Sequence, residues 1–196
     1  MRKHGDNVTT LYLNNGSLEY IIYSSGKVSS KVYIHTGSYS PAAQVEITES
    51  SAPNYSYYIA DSLGSALRCV NDSSIAQPVT RYNVWGETVN AMGNEAPMNE
   101  KHKGFTGHEN LENTRLIHMN GRVFDPLIAQ FIAPDPIVSN PSRPNNLNRY
   151  AYIENNPLVG TDPSGLTAEF TNAFRLTEAN RSTYFAAEHF SKEMVW

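Results

Sequence analysis

Three Asp-Pro pairs punctuate the second half of the chain: Asp125 in "GRVFDP", Asp135 in "FIAPDP" and Asp162 in "NNPLVGTDPSGL". A proline holds the residue before it in extended backbone and lacks an N–H of its own. Such a pair therefore limits the directions in which the carboxylate can point. Two carboxylates held a few ångströms apart cannot both ionise, so one pKa rises and the pair keeps one proton between them. The ionised member can then take a proton from water while the other donates to the peptide carbonyl. The same residues also make ordinary turns, and "DPSG" has Pro and Gly at the positions a β-turn favours. On the residues alone, turn punctuation and acid chemistry both stand open for Asp135 and Asp162. Asp125 closes the strand-like "RVF" and reads as structural.

Other reactive side chains carry weaker patterns. His102, His108 and His118 lie close in sequence, but no spacing among them matches a metal motif. Ser62, Ser65 and Ser164 have no nucleophile elbow around them. The single cysteine, Cys69, sits in a strand pattern and reads as a small buried hydrophobe. No cofactor and no metal is expected. The formal net charge is −4 with no basic cluster, which argues against nucleic acid as the partner. The N-terminus does not read as a secretory signal, and no apolar run is long enough to span a membrane. The location is left unknown.

The elements that would position these acids are strands. "TTLYL", "LEYIIY" and "VSSKVYIH" are separated by "NNGS" and "SSGK", which are hairpin turns by composition. "YSYYIADSLGSALRCVND" gives two more strands about Leu63–Gly64–Ser65, and "RLIHMNGRVF" gives two about Asn120–Gly121. Eight of the 12 tyrosines precede residue 60, which suits a half-wet sheet surface. Trp85 and these tyrosines read as wall residues packing strand to strand. "RYAYIENNPL" is a strand or a short helical turn. Past Leu166 the sequence has no Gly or Pro, and Phe170, Phe174, Tyr184, Phe185 and Phe190 recur at helical spacing. The fold class is therefore mainly β, an antiparallel meander with a short C-terminal helical tail.

Five blocks occur in a fixed order: "YYIADSLGS", "YNVWGE", "FTGHENLENTRLIHMNGRVFDP", "QFIAPDP" and "NRYAYIENNPLVGTDPSGL". Together they resemble the RHS repeat-associated core domain that ends YD-repeat proteins. The resemblance spans about Tyr57 to Leu166 and divides the chain into three. Residues 1–56 resemble degenerate YD repeats, 57–166 the core domain, and 167–196 the variable tail. It implies that the sheet is part of a hollow shell, closed at one end by the core domain, around a toxin used in intercellular competition. The implied partners are other YD-repeat shell segments, a toxin cargo and an immunity protein.

The resemblance also implies that the core domain cuts its own chain after the "DPSGL" block with an aspartic-type pair. Carried over by position, Asp162 and Asp135 are that pair, Arg149 in "NRYAY" is the nearby arginine, and Leu166–Thr167 is the scissile bond. Val138 stands where the shortest family pattern has glycine, and the acids are 27 residues apart, longer than in the compact form. A tail of 30 residues is too short to fold alone as an enzyme. A shell needs many more strands than this chain supplies, so the chain reads as a terminal piece of something longer. A carbohydrate-binding module using exposed aromatics is the remaining alternative.

Overall fold

The computed structural model describes residues 2–5, 8–36, 39–72, 78–90, 92–94, 103–111, 114–137 and 144–170. His102, Val138 and the helical tail expected beyond Phe170 lie outside them. Seven strands form one antiparallel meander in chain order: β1 (Arg2–Gly5), β2 (Val8–Leu13), β3 (Leu18–Tyr23), β4 (Val28–His35), β5 (Pro41–Thr48), β6 (Ser51–Ala60) and β7 (Ala66–Asn71). The predicted turns sit between them. Gly26 and Gly64 adopt φ of +81° and +83°, which only glycine reaches without strain. The sheet is open. Position 57 falls inside β6, so the sheet runs on past the first stretch of YD-like sequence.

The two faces of this sheet divide in an unexpected way. Cross-strand partners share a face, and the register aligns Glu19 with Lys31, Ile21 with Ser29, Tyr33 with Gln44 and Gln44 with Ser56. Glu19, Ser29, Tyr33, Gln44 and Ser56 are buried. The other face carries Val32, Ile34, Ile47, Tyr55, Tyr57 and Ile59, all exposed. The covered face is thus the polar one. Lys103 reaches over it, with its Nζ 4.0 Å from Glu19 and 5.0 Å from the centre of the Tyr33 ring. Burial holds the Glu19 carboxyl above its ordinary range, against the pull of that ammonium.

The second half of the chain lies over the polar face. A short hairpin, β8 (Arg81–Tyr82) and β9 (Thr88–Val89), turns at Trp85–Gly86. A four-stranded sheet follows: β10 (Glu109–Asn110), β11 (Ile117–Met119), β12 (Arg122–Asp125) and β13 (Gln130–Phe131). Last come β14 (Gly160–Thr161) and β15 (Glu169–Phe170), which pair antiparallel. The first residues of the expected helical tail are therefore extended.

The hydrophobic core belongs to this half. Phe105, Ile117, Met119, Phe124, Phe131, Tyr152 and Ile153 form one buried cluster, with Tyr82, Trp85, Val159, Ala168 and Phe170 packed against it. Ring centres of Phe124 and Tyr152 are 5.0 Å apart, and those of Phe124 and Phe131 are 5.6 Å apart at 72°. Trp85 packs as the sequence suggests. "YIENNP" takes the short turn that the sequence offered beside a strand, but with left-handed backbone. Ile153, Glu154 and Asn155 have φ of 46°, 52° and 62°, a left-handed turn that is costly for a β-branched residue. Seating Tyr152 and Ile153 in the core offsets that cost, and Asn155 N–H closes the turn on the Tyr152 carbonyl at 2.9 Å.

Polar contacts tie the two halves together. The Tyr12 hydroxyl donates to Glu109, and Thr106 N–H donates to Ser65 Oγ at 3.2 Å. Tyr39 stacks on the fully buried His108 with ring centres 4.8 Å apart. Burial lowers the His108 pKa to about 3, so this imidazole is neutral in the fold, with Nδ1 2.9 Å from Thr106 Oγ1. The sign follows directly. Unfolded histidine binds a proton below about pH 6.5 and folded His108 does not, so acid favours the unfolded chain. Its contribution is complete above pH 6.5 and is lost as pH falls from there toward 3, at about 1.4 kcal/mol per pH unit. Urea melts between pH 7 and 5 should show this slope, and a His108→Gln variant should lack it. Equal slopes in the two proteins would rule out a neutral buried His108.

Candidate active site

The "DPSGL" loop docks on the tip of the β11–β12 hairpin. Asn120, at φ 56°, turns that hairpin, and its Nδ2 donates to the Pro163 carbonyl at 2.7 Å. Gly121 N–H donates to the Ser164 carbonyl at 2.8 Å. Gly165 has φ +69°, and a Cβ there would stand 1.8 Å from the Met119 carbonyl oxygen. The approach is backbone to backbone, so only glycine fits.

Inside the loop, Asp162 curls over its own chain. Its Oδ1 accepts N–H donors from Leu166 at 3.1 Å and Thr167 at 2.9 Å, and the Ser164 hydroxyl at 3.2 Å. Ser164 Oγ accepts from the same two amides at 3.1 and 3.0 Å. This is the turn chemistry that the residues suggested. Here the turn also places the buried carboxyl on the amide nitrogen of the Leu166–Thr167 bond.

Asp135 arrives from the opposite side, on the segment after β13. Its backbone is clamped by Arg149: Asp135 N–H donates to the Arg149 carbonyl at 2.8 Å, and Arg149 Nε donates to the Asp135 carbonyl at 2.6 Å. The Asp135 Oδ1 accepts Ile137 N–H at 2.8 Å, which leaves Oδ2 turned to the site.

A guanidinium stands between the acids, and it belongs to Arg122. Its Nη2 lies 3.0 Å from Asp135 Oδ2 and 3.4 Å from Asp162 Oδ2. The two carboxylate oxygens are therefore no farther apart than those two legs together, about 6.4 Å. Arg122 also donates from Nε to the Gly165 carbonyl and from Nη1 to the Arg149 carbonyl at 3.1 Å, and it stacks 3.6 Å over the Phe131 ring. All five donors of an arginine fork point in fixed directions, which suits one group bridging four partners.

Arg122 and Asp162 are buried, while Asp135 is partly open to solvent. Burial raises the Asp162 pKa, against the Thr167 N–H, the Arg122 charge, the Ser164 hydroxyl and the Leu166 N–H, which all pull it down. Burial lowers the Arg122 pKa against both aspartates. A cavity of about 230 Å³ opens here, and Arg122, Asp135, Arg149, Asp162, Leu166 and Thr167 all line it. That is room for several waters. A larger cavity of about 550 Å³ lies across the loop, behind Pro163 and Ser164, and holds neither acid.

Asp135, Asp162, Arg149, Leu166 and Thr167 are thus brought together. Asp125 stays apart, accepting Leu127 N–H at 2.9 Å as a turn residue. Arg122 is the group that sequence reasoning passed over. A signal was present: alternation in "RVF" puts Arg122 on the same strand face as buried Phe124, and a buried arginine requires acid partners.

The sheet and its docked core define a class, the YD-repeat shell. Residues 11–158 match the Teneurin YD-shell family, and the chain belongs to that family. It is 22% identical over 159 residues to the tRNA3(Ser)-specific nuclease WapA of Bacillus spizizenii, covering 81% of this chain and 7% of that protein. The crystal structure of TcdB2-TccC3 without its hypervariable C-terminal region superposes with a TM-score of 0.61 at 22% identity, over 84% of this chain and 8% of that one. A Photorhabdus luminescens Tc holotoxin pore superposes with a TM-score of 0.63 at 20% identity, over 87% and 8%. The structural likeness establishes the fold. The chain spans less than a tenth of the length of each of these relatives.

Proposed function

We propose that this chain is the closing end of a toxin-carrying YD-repeat shell, and that its acid pair cuts the chain once, after Leu166. The observation that carries the cleavage reading is the placement of Arg122 Nη2 between Asp135 and Asp162, with Asp162 on the Thr167 amide. The relatives support the delivery role: one is a nuclease, one is a Tc holotoxin pore, and one is a TcdB2-TccC3 structure without its hypervariable C-terminal region. The exposed apolar face and the open sheet fit a segment that other shell strands complete. The partners are those strands and a downstream cargo, with an immunity protein guarding the producer.

In this mechanism Asp135, held by Arg122, takes a proton from a water in the cavity. The water oxygen attacks the Leu166 carbonyl carbon. The C–N bond then breaks, its electron pair passes to the Thr167 nitrogen, and that nitrogen takes the proton of Asp162. The pair ends with its proton moved from Asp162 to Asp135, and the products are a Leu166 carboxyl and a Thr167 amine. The chain supplies its own bond at high effective concentration, so no substrate pocket is required.

Intact-mass spectrometry of the purified protein tests this. The expected species end at Leu166 and begin at Thr167, and Asp162→Asn abolishes them, with a rate loss of at least about 100-fold from removal of the acid. Cleavage should quicken on acidification from neutral pH, because the protonated fraction of Asp162 rises as pH falls toward its raised pKa. A single intact mass after prolonged incubation at pH 5 to 7 would exclude the reading.

A further inference from the structure

The residues just beyond the scissile bond are seated in the core domain. Thr167 N–H rests on Asp162 Oδ1 and Ser164 Oγ. Ala168 and Phe170 pack against the hydrophobic cluster. Glu169 and Phe170 pair as β15 with Thr161 and Gly160 of β14. At Gly160 a Cβ would stand 2.4 Å from the Glu169 carbonyl oxygen and 3.0 Å from Phe170 Cα, so the fit is backbone to backbone. The contacts of Ala168, Glu169 and Phe170 lie beyond the Leu166–Thr167 peptide bond and do not depend on it.

We infer that this groove is a binding site for a peptide with a free α-amino group, an extended backbone and an aromatic fourth residue, and that it keeps the severed tail bound. The inference rests on the self-cleavage reading for the origin of that peptide. Its chemistry follows from the reaction. Cutting turns the Thr167 amide into an amine, and the proton it gains is the one Asp162 gives up. That amine takes a second proton from the newly formed Leu166 carboxyl, a far stronger acid, and becomes an ammonium whose nitrogen starts 2.9 Å from the carboxylate that Asp162 has become. One neutral hydrogen bond becomes a charge-assisted pair, which is the stronger kind. Strand pairing supplies backbone hydrogen bonds, and Phe170 supplies a half-buried aromatic anchor against the core.

The test uses the full chain after self-cleavage. Denaturing mass spectrometry first shows both pieces. Size-exclusion chromatography at neutral pH is then expected to elute residues 1–166 and 167–196 together. A synthetic peptide, Thr-Ala-Glu-Phe-Thr-Asn-Ala-Phe with a free amine, is expected to displace the tail. Its N-acetylated form should need at least about tenfold more, from loss of the charged pair. Phe170→Ala is expected to cleave and then lose its tail on the column. A chain that never cleaves overturns the self-cleavage reading and this inference with it. Pieces that form but separate at neutral pH overturn the inference alone. Equal competition by the free and acetylated peptides, failure of the free-amine peptide to displace the tail, or a Phe170→Ala tail that stays bound would also overturn it.

Discussion

Arg122→Met is expected to destabilise the folded protein by about 3–5 kcal/mol, the usual cost of removing one partner of a buried ion pair. One guanidinium here serves two carboxylates, and its side chain is 6% exposed. Without it, the Asp135 carboxylate and the buried Asp162 lose the cation that stands between them, and holding negative charge in the site becomes costlier. The Gly165 carbonyl also loses the Arg122 Nε donor, and the Arg149 carbonyl is left with the Asp135 N–H alone of the two donors described. Methionine fills similar volume over Phe131, so packing loss is a small part of the effect. Arg122→Lys separates charge from geometry. A lysine keeps a positive charge near the acids and lacks the fork that reaches both carbonyls, so it is expected to fall between the two proteins. Urea unfolding midpoints read the stability, and intact mass reads the cleavage. An Arg122→Met protein within about 1 kcal/mol of the parent would show that the ion triad does not hold the loop, since exposed pairs contribute no more than that.

Gly165→Ala is expected to slow self-cleavage and to cost about 2–4 kcal/mol, combining a left-handed alanine with a steric overlap. The overlap is with the Met119 carbonyl, which belongs to β11 and cannot move without disturbing the core below it. The loop must lift instead. Lifting breaks the bonds from Gly121 N–H to Ser164 and from Asn120 to Pro163, and it shifts Asp162 relative to Asp135. A displacement of about 1 Å in reacting groups costs on the order of 100-fold in rate, so cleavage should fall at least that far. Gly26→Ala is the control. Gly26 has φ +81° with nothing within 4 Å of a Cβ, so only the backbone term of about 1 kcal/mol applies, and cleavage should be untouched. Equal effects at the two glycines would sink the claim that docking of the loop positions the bond.

Both predictions turn on residues whose roles are unequally visible in the sequence. Gly165 stands in "DPSGL", and its need for a turn conformation is legible from the letters. Arg122 follows an Asn-Gly turn, where a basic residue is most often solvent-facing. The difference is that turn propensity is a property of adjacent residues, while burial of a guanidinium depends on acids 13 and 40 positions away. Arg149 shows the same limit. Its place beside the acids follows from the sequence resemblance, but only the fold shows that it grips the backbone of Asp135 rather than sitting between the carboxylates.

The sequence by itself marked β2, β3, β4, β7 and the β11–β12 hairpin, their turns and the Asp-Pro corners, because alternation, Gly and Pro act over a few bonds; it did not mark β1, nor β5 within the Ser-, Thr- and Pro-rich stretch 36–54 that reads as a connection. Tertiary structure alone decided which face of the seven-stranded sheet is covered, since alternation marks two faces without saying which one the core domain meets. It alone decided the left-handed path at Ile153–Asn155, where burial of Tyr152 and Ile153 outweighs local preference. It alone decided the pairing of Asp135 with Asp162 through Arg122, because the distance between groups far apart in the chain is set by packing and not by spacing.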